Sequence, residues 1–207
     1  KKFNFLDIKD CLKSTKNKDI VIICAVQGGG IKLLKKATSS SIIPNILIRA
    51  NLLEACKINK VKKIIWISSS TVYQPANYPI KERDIDLNKN PYPIYRNVGW
   101  SYRYLEKLFS FYQRTTNLDI KVIRTTSIYG PHDNFDNEKS HVVPALIKKA
   151  LKKDKSFTVL GDKTVIRDFV YVDDLVLAII KLIKSNKKIS PINFSNAKEM
   201  SIENLSK

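Results

Sequence analysis

Ser68-Ser69-Ser70-Thr71-Val72-Tyr73 closes an apolar run that begins at residue 63. A serine hydroxyl facing a crevice donates to a carbonyl oxygen, or accepts from an alcohol, as hydride moves. Taken alone, the segment reads as well as a Ser/Thr cap on a strand end. A denser polar set follows: Tyr129-Gly130-Pro131-His132-Asp133-Asn134-Phe135-Asp136, then Ser140-His141 leading into an apolar stretch. Gly161-Asp162, Arg167-Asp168-Phe169 and Val172-Asp173-Asp174 add another. Arg167 has the planar fork that grips a phosphate through two bonds, or it pairs with Asp168 or Asp173. Gly28-Gly29-Gly30 invites a dinucleotide fingerprint but fails it, because the position for the third glycine is Leu33. The run is either a flexible loop or a backbone surface that lets a ligand approach closely.

These residues need elements to hold them. Short buried strands are predicted at 19–24, 63–68 and 120–126, and shorter ones at 157–160, 167–172 and 192–195. Helices are predicted at 41–58, 95–114, 141–153 and 173–184, with another opening at Ser201. Pro144 is tolerated in a first turn, and Asp173 and Asp174 sit at a positive helix end. Alternating strands and helices argue for a parallel sheet covered on both faces, with ligands at the carboxyl ends of its strands. The shorter strands and longer loops after residue 130 suggest a smaller second lobe.

Composition narrows the function. The chain has 207 residues, 43% hydrophobic, enough to bury a core. No apolar run approaches the length of a membrane span, and the start carries no signal-peptide pattern. Cys11, Cys24 and Cys56 lack metal-ligand spacing and sit in apolar stretches, which reads as buried, reduced thiols in a cytoplasmic protein. With only two histidines, no metal site is expected. The net charge of +18 raises nucleic acid as a partner, but the excess is scattered lysine with few arginines. A solvated surface, with an anionic small substrate nearby, is the preferred reading.

Residues 68–73, 129–146 and 161–174 together resemble the extended short-chain dehydrogenase/reductase superfamily. Within it they are most similar to the NAD(P)-dependent nucleotide-sugar epimerases, dehydratases and reductases of the GDP-L-fucose synthase type. The resemblance runs along essentially the whole chain. It implies a Rossmann-like doubly wound α/β fold, with residues 1–130 a cofactor-binding domain lacking its first strand, turn and helix. Residues 131–207 would be an incomplete substrate lobe mixed with returning elements of the main sheet. The missing glycine fingerprint would then lie upstream.

Carried over by position, the resemblance implies Asp7 and Ile8 at the adenine. Ala25, Val26, Gln27 and Gly28 would line the cofactor, NAD or NADP, and Asn45 would support that loop. Ser68 and Thr125 would border the cofactor, and Ser69 would polarise the sugar carbonyl. Thr71, Ser127 and Asn134 would meet substrate, His141 would act as an acid, and Lys149 and Arg167 would hold the nucleotide diphosphate. The partner implied is a nucleoside-diphosphate sugar, without nucleic acid or membrane, and the full-length form is expected to be a homodimer through the two long helices.

One departure stands out. The family pairs a Tyr with a Lys one helical turn later. Counting back from Tyr129 or forward from Ser69 places those positions at Val98 and Tyr102. The nearest spaced pair is Tyr92 and Arg96, so Tyr92 or Tyr95 must reach in from the preceding loop, with Arg96 supplying charge. Thr71 stands where epimerising relatives carry a Cys, and it is a poor base for carbon deprotonation. Two readings follow: an oxidoreductase or epimerase acting at a sugar carbon, or a family member that binds its ligands as a sensor or scaffold.

Overall fold

The β-branched run at 20–23 and the longer apolar runs around 65 and 122 cannot satisfy their backbones alone, and they pair side by side. In this computed structural model, residues 2–28, 39–136, 139–152, 158–159, 162, 164–187 and 191–207 are described. Strands β1 (Ile20–Ile23), β2 (Lys63–Ser69) and β3 (Asp119–Thr125) lie parallel in that order, and β7 (Ile192–Phe194) returns to pair with β3. β2 and β3 are central and mostly buried on both faces, which is why they read as unbroken apolar runs. β1 is outermost, and Ile20 and Ile22 are exposed there.

Alternation along β2 sends side chains to two layers. Ile64 and Trp66 face α1 (Ile8–Thr15), α2 (Ser39–Ile58) and α3 (Arg96–Thr115), where Cys11, Leu53, Cys56, Leu105 and Phe109 complete a fully buried cluster. Ile65 faces the opposite layer, packing with Ile123 and with Leu175 and Ile179 of α5 (Val172–Lys184). Each such side chain contributes about 1.5–3 kcal/mol when removed from water. The architecture is the expected α/β type, a parallel sheet with helices on both faces.

Polar residues at the amino end of the sheet fix its register. Lys121, fully buried in β3, donates to Asp119 Oδ1 at 2.7 Å and to the Lys187 carbonyl at 2.5 Å. Lys63 lies 3.3 Å from Asp119 Oδ2 and donates to the carbonyls of Ile183 and Ser185.

Two small sheets lie outside the main one. β4 (Ser127–Tyr129) runs parallel to β6 (Phe169–Tyr171), and β5 (Ile166–Arg167) runs antiparallel to β8 (Met200–Ser201). The single strand expected over 167–172 is thus two. They break at Asp168, whose carboxylate accepts from Thr126 Oγ1 and the Asn196 amide while its carbonyl accepts from the Ser127 amide. α4 (Val142–Ala150) and α6 (Ile202–Leu205, capped by Ser201) complete the described elements. Of the strand expected at 157–160, only 158 and 159 are described, and neither is in a strand.

Cys24, expected buried, is exposed just past the outer strand; Cys11 and Cys56 are buried as expected, and all three are free thiols. Burial pushes Cys11 up to about 11 and Cys56 up to about 12, so both stay protonated at neutral pH. Among the described residues no helix is long and apolar enough to cross a membrane, and no cluster of metal-ligating side chains forms.

Candidate active site

Ser68 and Ser69 end the same strand and turn opposite ways. Ser68 is buried and its hydroxyl donates to Glu106 Oε1 at 2.7 Å, on the α3 side. Ser69 caps the short 3-10 turn Ser70–Val72, accepting from the Thr71 amide at 3.2 Å and from Thr71 Oγ1 at 3.0 Å. In that arrangement no described residue takes up the Ser69 proton. Ser69 lies directly opposite Thr125 in the β2–β3 register, and Ser127 follows two residues on, exposed at the start of β4.

The segment after β1 is held from α2. Asn45 Oδ1 accepts from the Gln27 amide at 2.9 Å, and Asn45 Nδ2 donates to the Gln27 carbonyl at 2.7 Å. Ala25 is half-buried, Val26 is exposed, and among the described residues a Cβ on Gly28 would meet Val26 Cγ2, at 3.4 Å. Gly29, Gly30 and Leu33 lie outside the described residues. α2 also grips the stretch before α1: Asn51 Nδ2 donates to the carbonyls of Phe5 and Leu6. Asp7 caps α1 by accepting from the Lys9 amide, and Ile8 opens that helix on the surface.

α3 reaches the end of β2 through Gly99. A Cβ there would lie 2.4 Å from the Thr71 carbonyl oxygen and 2.6 Å from Pro91 Cβ, so only glycine permits the approach. One residue before it, Val98 is half-buried. Tyr102, one turn on, stacks on Trp66 with centroids 5.8 Å apart and accepts at Oη from Arg49 at 2.8 Å. Tyr92 and Arg96 are exposed. Tyr95, on the 3-10 turn Pro93–Tyr95, sits 6.3 Å from the Tyr92 ring, with the Arg167 guanidinium 5.7 Å from its own. Among the described residues Arg167 forms no ion pair with Asp168 or Asp173; its contact is Tyr95.

Tyr129, Phe135, Pro144, Ile147 and Tyr171 border a cavity of about 200 Å³. Gly130, at φ +152°, presses against Val172, where a Cβ would stand 2.5 Å from Cγ1. His141 caps α4, largely exposed, with Nδ1 3.8 Å from Asp133 Oδ1. Asn134 accepts from the Asp136 amide, and Lys149 Nζ donates to the Thr158 carbonyl at 2.5 Å. Among the described residues no hydrogen bond or ion pair joins His141 to Ser69.

Residues 2–195 match the NAD dependent epimerase/dehydratase family. The chain belongs to that family. It is 30% identical over 176 residues to GDP-L-fucose synthase of Escherichia coli (strain K12), covering 80% of this chain and 53% of that protein. It is 27% identical over 211 residues to GDP-mannose 3,5-epimerase 1 of Oryza sativa subsp. indica, covering 98% of this chain and 54% of that protein. Among solved structures, the UDP-N-acetylglucosamine 4-epimerase from Methanobrevibacter ruminantium M1, in complex with UDP-N-acetylmuramic acid, superposes with a TM-score of 0.82. That match has 27% identity and covers 98% of this chain and 62% of that one. The chain spans little more than half the length of the curated relatives it matches.

Within this epimerase/dehydratase frame, one polar network escaped the sequence reading. Arg124 is buried and clasps Glu106 through Nε and Nη2, the latter at 2.7 Å from Oε2. Its Nη1 donates to Tyr73 Oη at 2.6 Å, and Tyr73 donates to Asn193 Oδ1 at 2.6 Å. The Asn193 amide in turn donates to Glu82 Oε1. Burial pulls the Arg124 pKa down, but Glu106 and Tyr73 outweigh it and leave it raised. Burial pushes the Tyr73 hydroxyl up. The signal was latent in the register, since Ser68 and Arg124 are direct cross-strand partners.

Proposed function

We propose that this chain belongs to an NAD(P)-dependent nucleotide-sugar epimerase or reductase, working at a sugar carbon. The observation that carries the reading is the convergence at the carboxyl ends of three parallel strands. The Asn45-clasped loop follows β1, Ser69 ends β2, and Thr125 lies beside it on β3. Membership of an NAD-dependent family and the nucleotide-sugar names of its relatives support the same chemistry.

The loop backbone held at Gln27 by Asn45, with Gly28 exposed beyond it, fits a dinucleotide. Asp7, Ile8, residues 25–28 and Thr125 would hold it, and when bound it supplies or accepts the hydride. Ser69 hydrogen-bonds the sugar oxygen, and Thr71, bonded to Ser69, fixes that hydroxyl. Tyr95 handles the proton in this reading, since it is the aromatic that meets Arg167, with Tyr92 beside it and Arg96 contributing charge. Arg167 and Lys149 take the diphosphate, Ser127 and Asn134 contact substrate, and His141 serves as an acid. Ile43, Leu47, Trp100, Tyr104 and Phe111 leave apolar surface on α2 and α3, which a second copy of the chain would cover in a homodimer. The free thiols suit the cytoplasm.

A second reading, binding without turnover, is favoured by Val98 and Tyr102 standing where the family carries its Tyr and Lys. The full-length protein, titrated with NADH and NADPH by fluorescence and then given 4-keto sugar nucleotides, separates the two. Turnover supports the enzyme, and binding without turnover supports the sensor. Failure to bind either dinucleotide contradicts the enzyme, and failure to bind the sugar nucleotide as well contradicts both.

A further inference from the structure

Arg49 is a buried cation, only 2% exposed. Its three hydrogen bonds go to the Asn45 carbonyl at 2.9 Å, to Asn45 Oδ1 at 3.1 Å and to Tyr102 Oη at 2.8 Å. Its Nε has no partner, and among the described residues no carboxylate lies within ion-pair distance. Burial draws its pKa down, while the Tyr102 contact opposes that shift. An unpaired buried charge costs stability that an apolar side chain of similar volume would not. The arrangement therefore calls for a reason other than packing.

The geometry supplies one. The two ends of an asparagine amide are alike in shape, and the bonds around them decide which way the group faces. Arg49 can only donate, so it fixes Oδ1 of Asn45 on its own side. That same orientation presents Oδ1 to the Gln27 amide and Nδ2 to the Gln27 carbonyl. The flipped amide would set donor against donor at Arg49 and at the Gln27 amide, and acceptor against acceptor at the Gln27 carbonyl. Arg49 is itself held from the far side, with its guanidinium carbon 4.9 Å over the Tyr102 ring and that ring stacked on Trp66.

We propose that Arg49 is a positioning residue for the dinucleotide: pinned by Tyr102, it sets the Asn45 amide and so the shape of the loop at 24–28. The proposal rests on the reading that this loop lines the cofactor. It gives Tyr102 a task at a position where the family places a lysine, as the hydroxyl that anchors a guanidinium arriving from α2.

The test uses the full-length protein and two readouts, with thermal melts to verify folding. The first is hydrogen exchange at the Gln27 backbone amide, which needs no cofactor. Arg49→Gln is expected to speed that exchange by about tenfold beyond any global change, as the bond from the Gln27 amide to Asn45 Oδ1 is loosened. The second is the dissociation constant for NADH and NADPH. Arg49→Gln and Asn45→Ala are each expected to raise it about tenfold, and the double variant by the same tenfold, because both act through one contact. Arg49→Lys, which keeps the charge but loses the fork, should fall between parent and Arg49→Gln. If Arg49→Gln does not fold, Tyr102→Phe takes its place, with an expected loss of about threefold.

Gln27 exchange within about twofold of the parent in a folded Arg49→Gln protein overturns the Arg49–Asn45 link, whatever the cofactor does. Effects that multiply to about a hundredfold in the double variant overturn the shared route. A parent protein that binds neither dinucleotide overturns the functional reading and the cofactor half of this proposal.

Discussion

Two polar regions meet at the carboxyl end of the sheet, and they are built on opposite terms. On the α3 side, Ser68, Glu106, Arg124, Tyr73 and Asn193 form a closed set in which the cation has its carboxylate and the hydroxyls have acceptors. The second region has no such closure: Ser69 turns away from α3, and Arg49, between α2 and α3, carries a charge with no counter-charge among the described residues. Both guanidinium groups are buried and both touch a tyrosine hydroxyl, so burial alone does not distinguish them. What differs is completeness. A satisfied buried network stabilises one arrangement, whereas an unsatisfied buried donor costs stability and calls for a separate reason to persist.

The sharpest way to break this contrast is to exchange the fates of adjacent serines. Ser69→Ala should lower turnover of the full-length protein by about 10²–10⁴-fold with little change in melting, as loss of an oriented proton donor does. Ser68→Ala should leave turnover nearly intact. Equal kinetic losses would erase the distinction between the two sides.

The two arginines come next. Arg124→Met strands Glu106 without its cation and should cost about 3–5 kcal/mol in urea unfolding. Arg49→Met removes a charge that had no ion-pair partner, so the lost hydrogen bonds are partly offset and the cost should be about 1 kcal/mol. Equal losses would mean that Arg49 is as much a structural ion as Arg124.

A third tyrosine contact, at the far end of the same helix pair, gives the smallest effect. Tyr112 Oη donates to Glu54 Oε2 at 2.6 Å. That bond, with burial second, pushes Tyr112 up to about 12; the same bond, against burial, holds Glu54 below the usual carboxylate range. The Glu54 contribution is present above the ordinary carboxylate pKa and is lost as pH falls through its lowered value. The Tyr112 contribution is present below the ordinary tyrosine range and is lost as pH rises through about 12. Tyr112→Phe should therefore cost about 1 kcal/mol at neutral pH, with the gap closing in acid. A loss that persists unchanged at low pH would assign the effect to packing.

The main sheet was legible because buried parallel strands are continuous apolar runs, and 63–69 and 119–125 carry that mark plainly; the longer helices were legible too, whereas the short α1 was not among those expected. Short elements were less visible. The two-residue strand Ile166–Arg167 is defined by its partner Met200–Ser201, and neither has a local pattern of its own. Cys24 sits in an apolar stretch, yet it lies just past an outermost strand, a matter of topology rather than composition. At the site, Ser69 and the loop after β1 could be named from motifs. The Arg49–Asn45–Gln27 chain could not, because it joins residues across 18 positions of sequence and two elements. Glu106 and Arg124, likewise 18 apart, meet only once the β2–β3 register and the α3 rotation are known.

The central claim is that hydride passes to or from a sugar carbon beside Ser69. Its most direct test is to incubate the full-length protein with a 4-keto sugar nucleotide and NADPH or NADH deuterated at the transferable position, and to weigh the sugar product. The account predicts one deuterium on the sugar, at the former carbonyl carbon, and its loss in Ser69→Ala. Tight binding of both ligands with no deuterium in the sugar would contradict it.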